Sequence, residues 1–200
     1  MTFTDTAWSI QPPDAPARVE FRLAEPEHDA VVVAEWGAFP HVREWWPDLA
    51  APVRDVRAYL VAQRGIAHSQ PWIATIDDQP FAYVETYLPA DDPLAEHYDA
   101  LVSDRGWHVL VGPPEFLGSG IPRLLGRAVL TKLFDDAHAA RVVCEPSIEN
   151  TRMIRYCEHL GHVPVAVLDL PHKRALLLAC TRASFAERFP LDLSDKDHRA

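Results

Sequence analysis

Trp107-His-Val-Leu-Val-Gly112 and, two prolines later, Glu115-Phe-Leu-Gly-Ser-Gly-Ile-Pro122 form the stretch whose reading decides the fold. The apolar run ending at Gly112 has strand character. From Ile121 to about Ala137, Ile121, Leu124, Leu125, Ala128, Leu133 and Phe134 recur at helical spacing. The glycine-rich segment is therefore a strand-to-helix turn. Glycines let a backbone approach a phosphate closely, and the N–H groups and dipole of a helix N-terminus supply positive potential there. An ordinary tight connection uses the same residues, so the turn alone fixes no ligand.

Outward from this turn, helix and strand patterns alternate. Val19 to Leu23 reads as a first strand. Helices are expected from Pro26-Glu27 to about Trp36, and from Pro52 to Gln63, with Val53, Val56, Tyr59 and Leu60 on one face and Gly65 as the stop. Pro71 to Ile76 and Pro80 to Tyr87 form a hairpin across Asp77-Asp78-Gln79. Beyond the long helix come a strand at Arg141 to Cys144, a helix from Asn150 to Leu160, and strands at Val163 to Leu168 and Ala175 to Cys180. This order predicts an α/β fold with a mixed sheet of about seven strands and about four helices. Residues 1–17, with Pro12, Pro13 and Pro16, read as an extended arm, 18–190 as one domain, and 191–200 as a polar tail.

Two hundred residues, 48% of them hydrophobic, suffice for one sizeable core. A formal charge of −10 and a pI near 5.4 argue against nucleic acid or an anionic membrane as partner, and suit either a cationic small substrate or plain solubility. No secretory signal or spanning apolar run is evident. Cys144, Cys157 and Cys180 are odd in number and lack CxxC spacing, as expected of reduced thiols in the cytoplasm. Cys157, His159 and His162 superficially suggest a metal cluster, but positions 157 and 159 face different sides of a helix, and no metal is expected.

The glycine turn, the order of elements and a second motif, Glu145-Pro-Ser-Ile-Glu-Asn150-Thr-Arg-Met-Ile154 through Leu160-Gly161, resemble the GNAT acyltransferases. The resemblance implies a mostly antiparallel sheet in which the strands at 107–112 and 141–145 splay apart. It implies acyl-CoA, most simply acetyl-CoA, as cosubstrate, held by Val109, Leu110, Val111, Phe116, Leu117, Gly118, Ser119, Gly120, Ile121 and Asn150. A narrower likeness over residues 36–186 rests on five stretches: Trp36 to Trp46, Phe81 to Tyr87, Tyr98-Asp99, Asp104 to His108, and Asp169-Leu-Pro-His172-Lys173. These look like the siderophore N-acyltransferases, which acylate amines or hydroxylamines of lysine, ornithine or related diamines to give hydroxamates. Enzymes of a siderophore pathway are then the implied protein partners. Trp36 to Trp46 also resembles the aminoglycoside 6′-N-acetyltransferases, which usually carry acidic residues at the positions of Trp107-His108.

Three positions depart from the family pattern. Leu117 stands where Arg or Gln is commoner, and Pro122 removes one N–H at the helix start. Together they imply weaker pyrophosphate anchoring. Cys157 stands where many relatives place a Tyr that protonates the CoA thiolate. Its readings are substitute acid or packing residue, with Tyr156 roughly 100° away around the helix. These departures also motivate a third reading, a CoA-binding module without catalysis.

Among the candidates, His108 is the base or the group that orients the nucleophile, an imidazole having an ordinary pKa of about 6.5. A hydrogen-bonded core histidine is its structural alternative. Glu85 alternates with Tyr83 and Tyr87 on one strand face, as a substrate-binding carboxylate between aromatics or as an ordinary solvated sheet face. His172 and Lys173 at a strand-to-strand turn are candidate substrate contacts. Trp46, beside Trp45, lines a substrate mouth or packs as core or lid.

Overall fold

The computed structural model describes residues 5–190, so the tail at 191–200 lies outside the described residues. Eight strands are present: β1 (Ala7–Ile10), β2 (Val19–Leu23), β3 (Ser69–Ile76), β4 (Gln79–Tyr87), β5 (Asp104–Val111), β6 (Arg141–Cys144), β7 (Val163–Leu170) and β8 (Lys173–Thr181). The α-helices are α1 (Pro26–Ala38), α2 (Pro40–Arg43), α3 (Val53–Gly65), α4 (Ile121–Phe134), α5 (Thr151–His159) and α6 (Arg182–Arg188). Hydrogen bonding orders the strands β1-β2-β3-β4-β5-β6-β8-β7. β5 and β6 are parallel, and β2–β3, β3–β4, β6–β8 and β7–β8 are antiparallel.

Among the described residues the sheet thus has eight strands where about seven are expected, and the α-helices number six where about four are. The added strand is β1, inside the stretch read as an arm. Trp8 stacks on Phe21 with ring centroids 3.6 Å apart, and the Leu23 N–H donates to the Thr6 carbonyl at 3.1 Å. The added helices, α2 and α6, have four and seven residues, too short to display a period.

The chain packs as two compact units interleaved in sequence. Of the described residues, one comprises 5–9, 18–87 and 108–122; the other comprises 10–17, 88–107 and 123–190. In the first, the β3–β4 hairpin turns at Asp77 and Asp78, whose φ angles of 49° and 62° are the left-handed pair that a two-residue hairpin demands. Pro40 biases Phe39 toward extended backbone, ends α1 and starts α2. The core gathers Val33 and Trp36 of α1, Val56 and Leu60 of α3, Ile73, Tyr83 and Leu110. Complete burial of a side chain such as Leu60 stabilises by about 1.5–3 kcal/mol. Gly112 sits against this core: its N–H donates to the Phe81 carbonyl at 2.8 Å, and a Cβ there would lie 2.2 Å from Cγ of Trp36.

In the second unit, the parallel β5–β6 ladder covers only Asp104–Arg141, Arg105–Val142 and Gly106–Val143, while β5 itself continues to Val111. That short ladder suits the expected splayed pair. Its charged residues are fully engaged: buried Asp104 accepts from Arg141 Nε at 2.6 Å and from the Tyr98 hydroxyl at 2.8 Å. Arg182 of α6 donates to the carbonyls of Phe134 (2.6 Å) and Asp136 (3.0 Å), satisfying the C-terminal end of α4. The edge strand β7 leaves Val163, Val165 and Val167 half exposed, with a register irregularity between Pro164 and Ala166. Among the described residues no helix is long and apolar enough to cross a membrane.

Gly112→Ala is expected to cost roughly 1–3 kcal/mol through overpacking against Trp36. Gly65→Ala, where a Cβ meets nothing within 4 Å, is expected to gain about 0.5 kcal/mol. Thermal denaturation of both variants tests this, and equal melting temperatures would refute it.

Candidate active site

The turn between β5 and α4 builds one half of the site. Gly118 and Gly120 take φ angles of +78° and +89°, and a Cβ on either would point into open space. Within the turn, the N–H groups of Phe116, Leu117 and Ser119 donate to Pro113, Pro114 and Phe116 carbonyls at 3.0–3.3 Å. The Ser119 hydroxyl donates to the Phe116 carbonyl at 2.6 Å and accepts from the Ile121 N–H at 3.2 Å. The turn is thus held by its own hydrogen bonds, and its two glycines leave room for a ligand at the N-terminus of a 14-residue helix. That arrangement fits the diphosphate of a CoA ester. Just before it, Leu110 points into the core, Val109 and Val111 are half buried, and the His41 ring nitrogen Nε2 lies 2.9 Å from the Val111 carbonyl oxygen. His41, brought there by α2, carries no sequence signal of this role.

The other half gathers around Glu85. This residue is 4% exposed, and its β4 neighbours Tyr83 and Tyr87 are buried as well, so the solvated-face reading of this strand fails. The hydroxyls of Tyr59 and Tyr83 both donate to Glu85 Oε1, at 2.6 and 2.8 Å. His108 Nδ1 lies 3.1 Å from Glu85 Oε2. An ionised carboxylate only accepts, so in this pairing Nδ1 carries the proton. The His108 side chain is 38% exposed, unlike a core histidine. Aromatic rings frame it: Tyr87 at 4.8 Å and Trp46, edge-on, at 6.0 Å between centroids. Trp46 is half buried against the core, 5.7 Å from the Tyr83 ring. Burial, and then the Glu85 charge, hold the Tyr59 and Tyr83 hydroxyls well above the ordinary tyrosine range, so both remain donors. His108, Glu85, Tyr83, Tyr87 and Trp46 are therefore assembled in one unit. Tyr59, read from sequence only as part of an apolar helix face, joins them; a tyrosine on such a face needs a partner for its hydroxyl, which is the signal that marks it.

Asn150, Cys157, His172 and Lys173 belong to the other unit. Asn150 caps α5, its side-chain oxygen accepting from the Met153 N–H at 3.0 Å. Cys157 is fully buried and accepts a hydrogen bond from the Cys144 thiol at 3.4 Å. Neighbouring Tyr156 has its hydroxyl against α4, where a Cβ on Gly126 would lie 2.5 Å away, and burial raises its pKa. Cys157 is packed as core, and Tyr156 is half buried beside it. Lys173 Nζ reaches Glu145 Oε1 at 3.4 Å, and His172 stands exposed in the β7–β8 turn.

The Cys144 thiol is held well above its ordinary pKa by its bond to Cys157 and by burial, and burial pushes Cys180 up to about 11. All three thiols are therefore expected to resist an aromatic disulfide reagent at pH 8 until denaturant is added. Rapid labelling of Cys157 in the native protein would overturn its placement in the core.

The sequence profile of the acetyltransferase (GNAT) domain matches residues 25–170. The chain is 32% identical over 168 residues to the N(6)-hydroxylysine O-acetyltransferase of Escherichia coli, an alignment covering 84% of this chain and 53% of that protein. It thus spans about half the length of that relative. It is 30% identical over 185 residues to the lysine N-acyltransferase MbtK of Mycobacterium sp. (strain MCS), covering 90% of this chain and 75% of that one. Among solved structures, an uncharacterized protein from Bacillus halodurans superposes with a TM-score of 0.87 at 27% identity, covering 92% of this chain and 95% of that one. Aminoglycoside acetyltransferase AAC(6')-Ib, in complex with coenzyme A and kanamycin, gives 0.73 at 27% identity, covering 84% and 98%. With a profile match over most of its length and the same fold in solved relatives, this chain belongs to the GNAT acetyltransferase family.

Proposed function

We propose that this chain is a cytoplasmic, acyl-CoA-dependent N-acyltransferase of hydroxamate siderophore biosynthesis. It transfers an acetyl or related short acyl group to the side-chain amine or hydroxylamine of a lysine-, ornithine- or diamine-type substrate. The observation that carries this reading is the His108–Glu85 pair inside its aromatic frame, on the strand that leads into the glycine turn. The similarity to a hydroxylysine acetyltransferase and a lysine N-acyltransferase supports the substrate class.

Acyl-CoA supplies an activated thioester carbonyl. The backbone around Gly118 and Gly120, with the N-terminus of α4, binds its diphosphate. His108 Nε2 accepts the proton of the attacking nitrogen, while Glu85 fixes the ring through Nδ1. Trp46 and Tyr87 line the acceptor next to His108 and exclude water from it. Glu85 already accepts from two tyrosines and His108, so its part is to orient the base; it is poorly placed to bind an ammonium group. A second reading, aminoglycoside N-acetylation, draws on the likeness to AAC(6')-Ib.

Incubation with acetyl-CoA and N-hydroxylated lysine, ornithine or cadaverine is expected to release free CoA thiol, and His108→Ala to lower kcat by about 10²-fold. Acetylation of kanamycin-type amines with no turnover of the hydroxylated set would favour the second reading. Calorimetry with CoA is expected to show binding that Gly120→Ala weakens, because its left-handed φ strains a side chain. Undetectable binding at millimolar CoA would sink the enzyme reading altogether.

A further inference from the structure

We infer that Tyr59 is a positioning residue for His108, acting through Glu85; this rests on the reading of His108 as the base. Tyr59 stands at the middle of α3 and donates its 2.6 Å hydrogen bond to Glu85 Oε1, the oxygen facing away from His108. Tyr59 and His108 thus donate to opposite oxygens of one carboxylate: the Tyr59 hydroxyl to Oε1 and the Nδ1–H of His108 to Oε2. Trp46 stands against the same imidazole, the two rings near perpendicular with centroids 6.0 Å apart. Without Tyr59, the Glu85 carboxylate keeps only Tyr83 on Oε1, and its torsion is set from one side.

Against His108 stand Glu85 and Tyr87 of β4 and Trp46 from the segment after α2, while Tyr59 of α3 and Tyr83 bear on it through Glu85 and Asp48 acts on Tyr59. Glu85 is the carboxylate at hydrogen-bond distance from His108 Nδ1, so the donors on Glu85 bear on the imidazole. Each donor hydrogen bond spreads the carboxylate charge; removing one leaves more of it toward Nδ1 and favours the imidazolium.

Tyr59→Phe keeps the ring and removes the donor. It is expected to lower kcat about tenfold through misplacement of the base, to leave KM for acetyl-CoA unchanged, and to raise the pH midpoint of the base limb in kcat/KM. The His108 ring resonance in ¹³C-histidine NMR, assigned by its loss in His108→Ala, should titrate with the same upward shift. Glu85→Gln should shift it downward, because the negative charge is gone. Tyr83→Phe, which removes the other donor on Oε1, should move it in the same direction as Tyr59→Phe and serves if the latter fails to fold. A folded Tyr59→Phe protein with lowered melting temperature but wild-type His108 titration and kcat would overturn the proposal and leave Tyr59 a packing residue. The NMR titration needs no substrate, so a shift as stated, without acylation of any amine, would uphold the positioning and refute the function.

Discussion

A carboxylate taken out of water must be surrounded by donors, and Glu85 sets that demand at the centre of the first unit. An unpaired buried charge is costly enough to change protonation or unfold its surroundings. Here Glu85 stands on a buried face of β4, where the strands' own N–H groups point along the sheet and not at a side chain. The compensation comes from side chains: Tyr83 two residues earlier on the same face, Tyr59 from a helix packed over it, and His108 from β5. The register of the β3–β4 hairpin, the rotation of α3 and the position of β5 are thereby tied to one another. A fold that must satisfy this carboxylate also holds an imidazole in a single tautomer.

That coupling explains why the reactive-looking residue and the core lie so close together. Tyr83 is both fully buried and a donor to Glu85; Trp46 packs on the core through one edge and on His108 through another. Preorganisation of this kind leaves little to rearrange when a ligand arrives. The glycine turn follows the same principle by other means, since Ser119 and the short turn hydrogen bonds fix its shape while Gly118 and Gly120 keep it bare.

Periodicity and turn chemistry exposed most of the fold, because they are local. Asp77-Asp78 announced the hairpin, and the apolar spacing after Ile121 announced α4. β1 escaped notice because its order comes from Trp8 lying on Phe21, a contact no local pattern records. α2 and α6 escaped because one or two turns carry no period. For the site, strand alternation grouped Tyr83, Glu85 and Tyr87 correctly but could not reveal that the face is buried; that depends on helix packing. Tyr59 was visible as a helix-face residue, yet its partner lies 26 positions away. Motif likeness singled out Asn150 and Cys157, where the local structure shows a helix cap and a core thiol.

β7 carries a consequence for how the protein behaves at high concentration. An edge strand with three half-exposed valines has the composition of a sticky template for other chains. Many proteins blunt such an edge with lysine, but the run Val163 to Leu168 contains no charge. It contains Pro164, which cannot donate to an incoming strand, beside a register irregularity that breaks the flatness a continuous ladder needs. Along Val163 to Leu168 solubility therefore rests on backbone geometry, charge entering β7 at Asp169, which pairs with Arg174; over that run it should be largely insensitive to pH and salt, unlike the solubility that the overall negative charge confers.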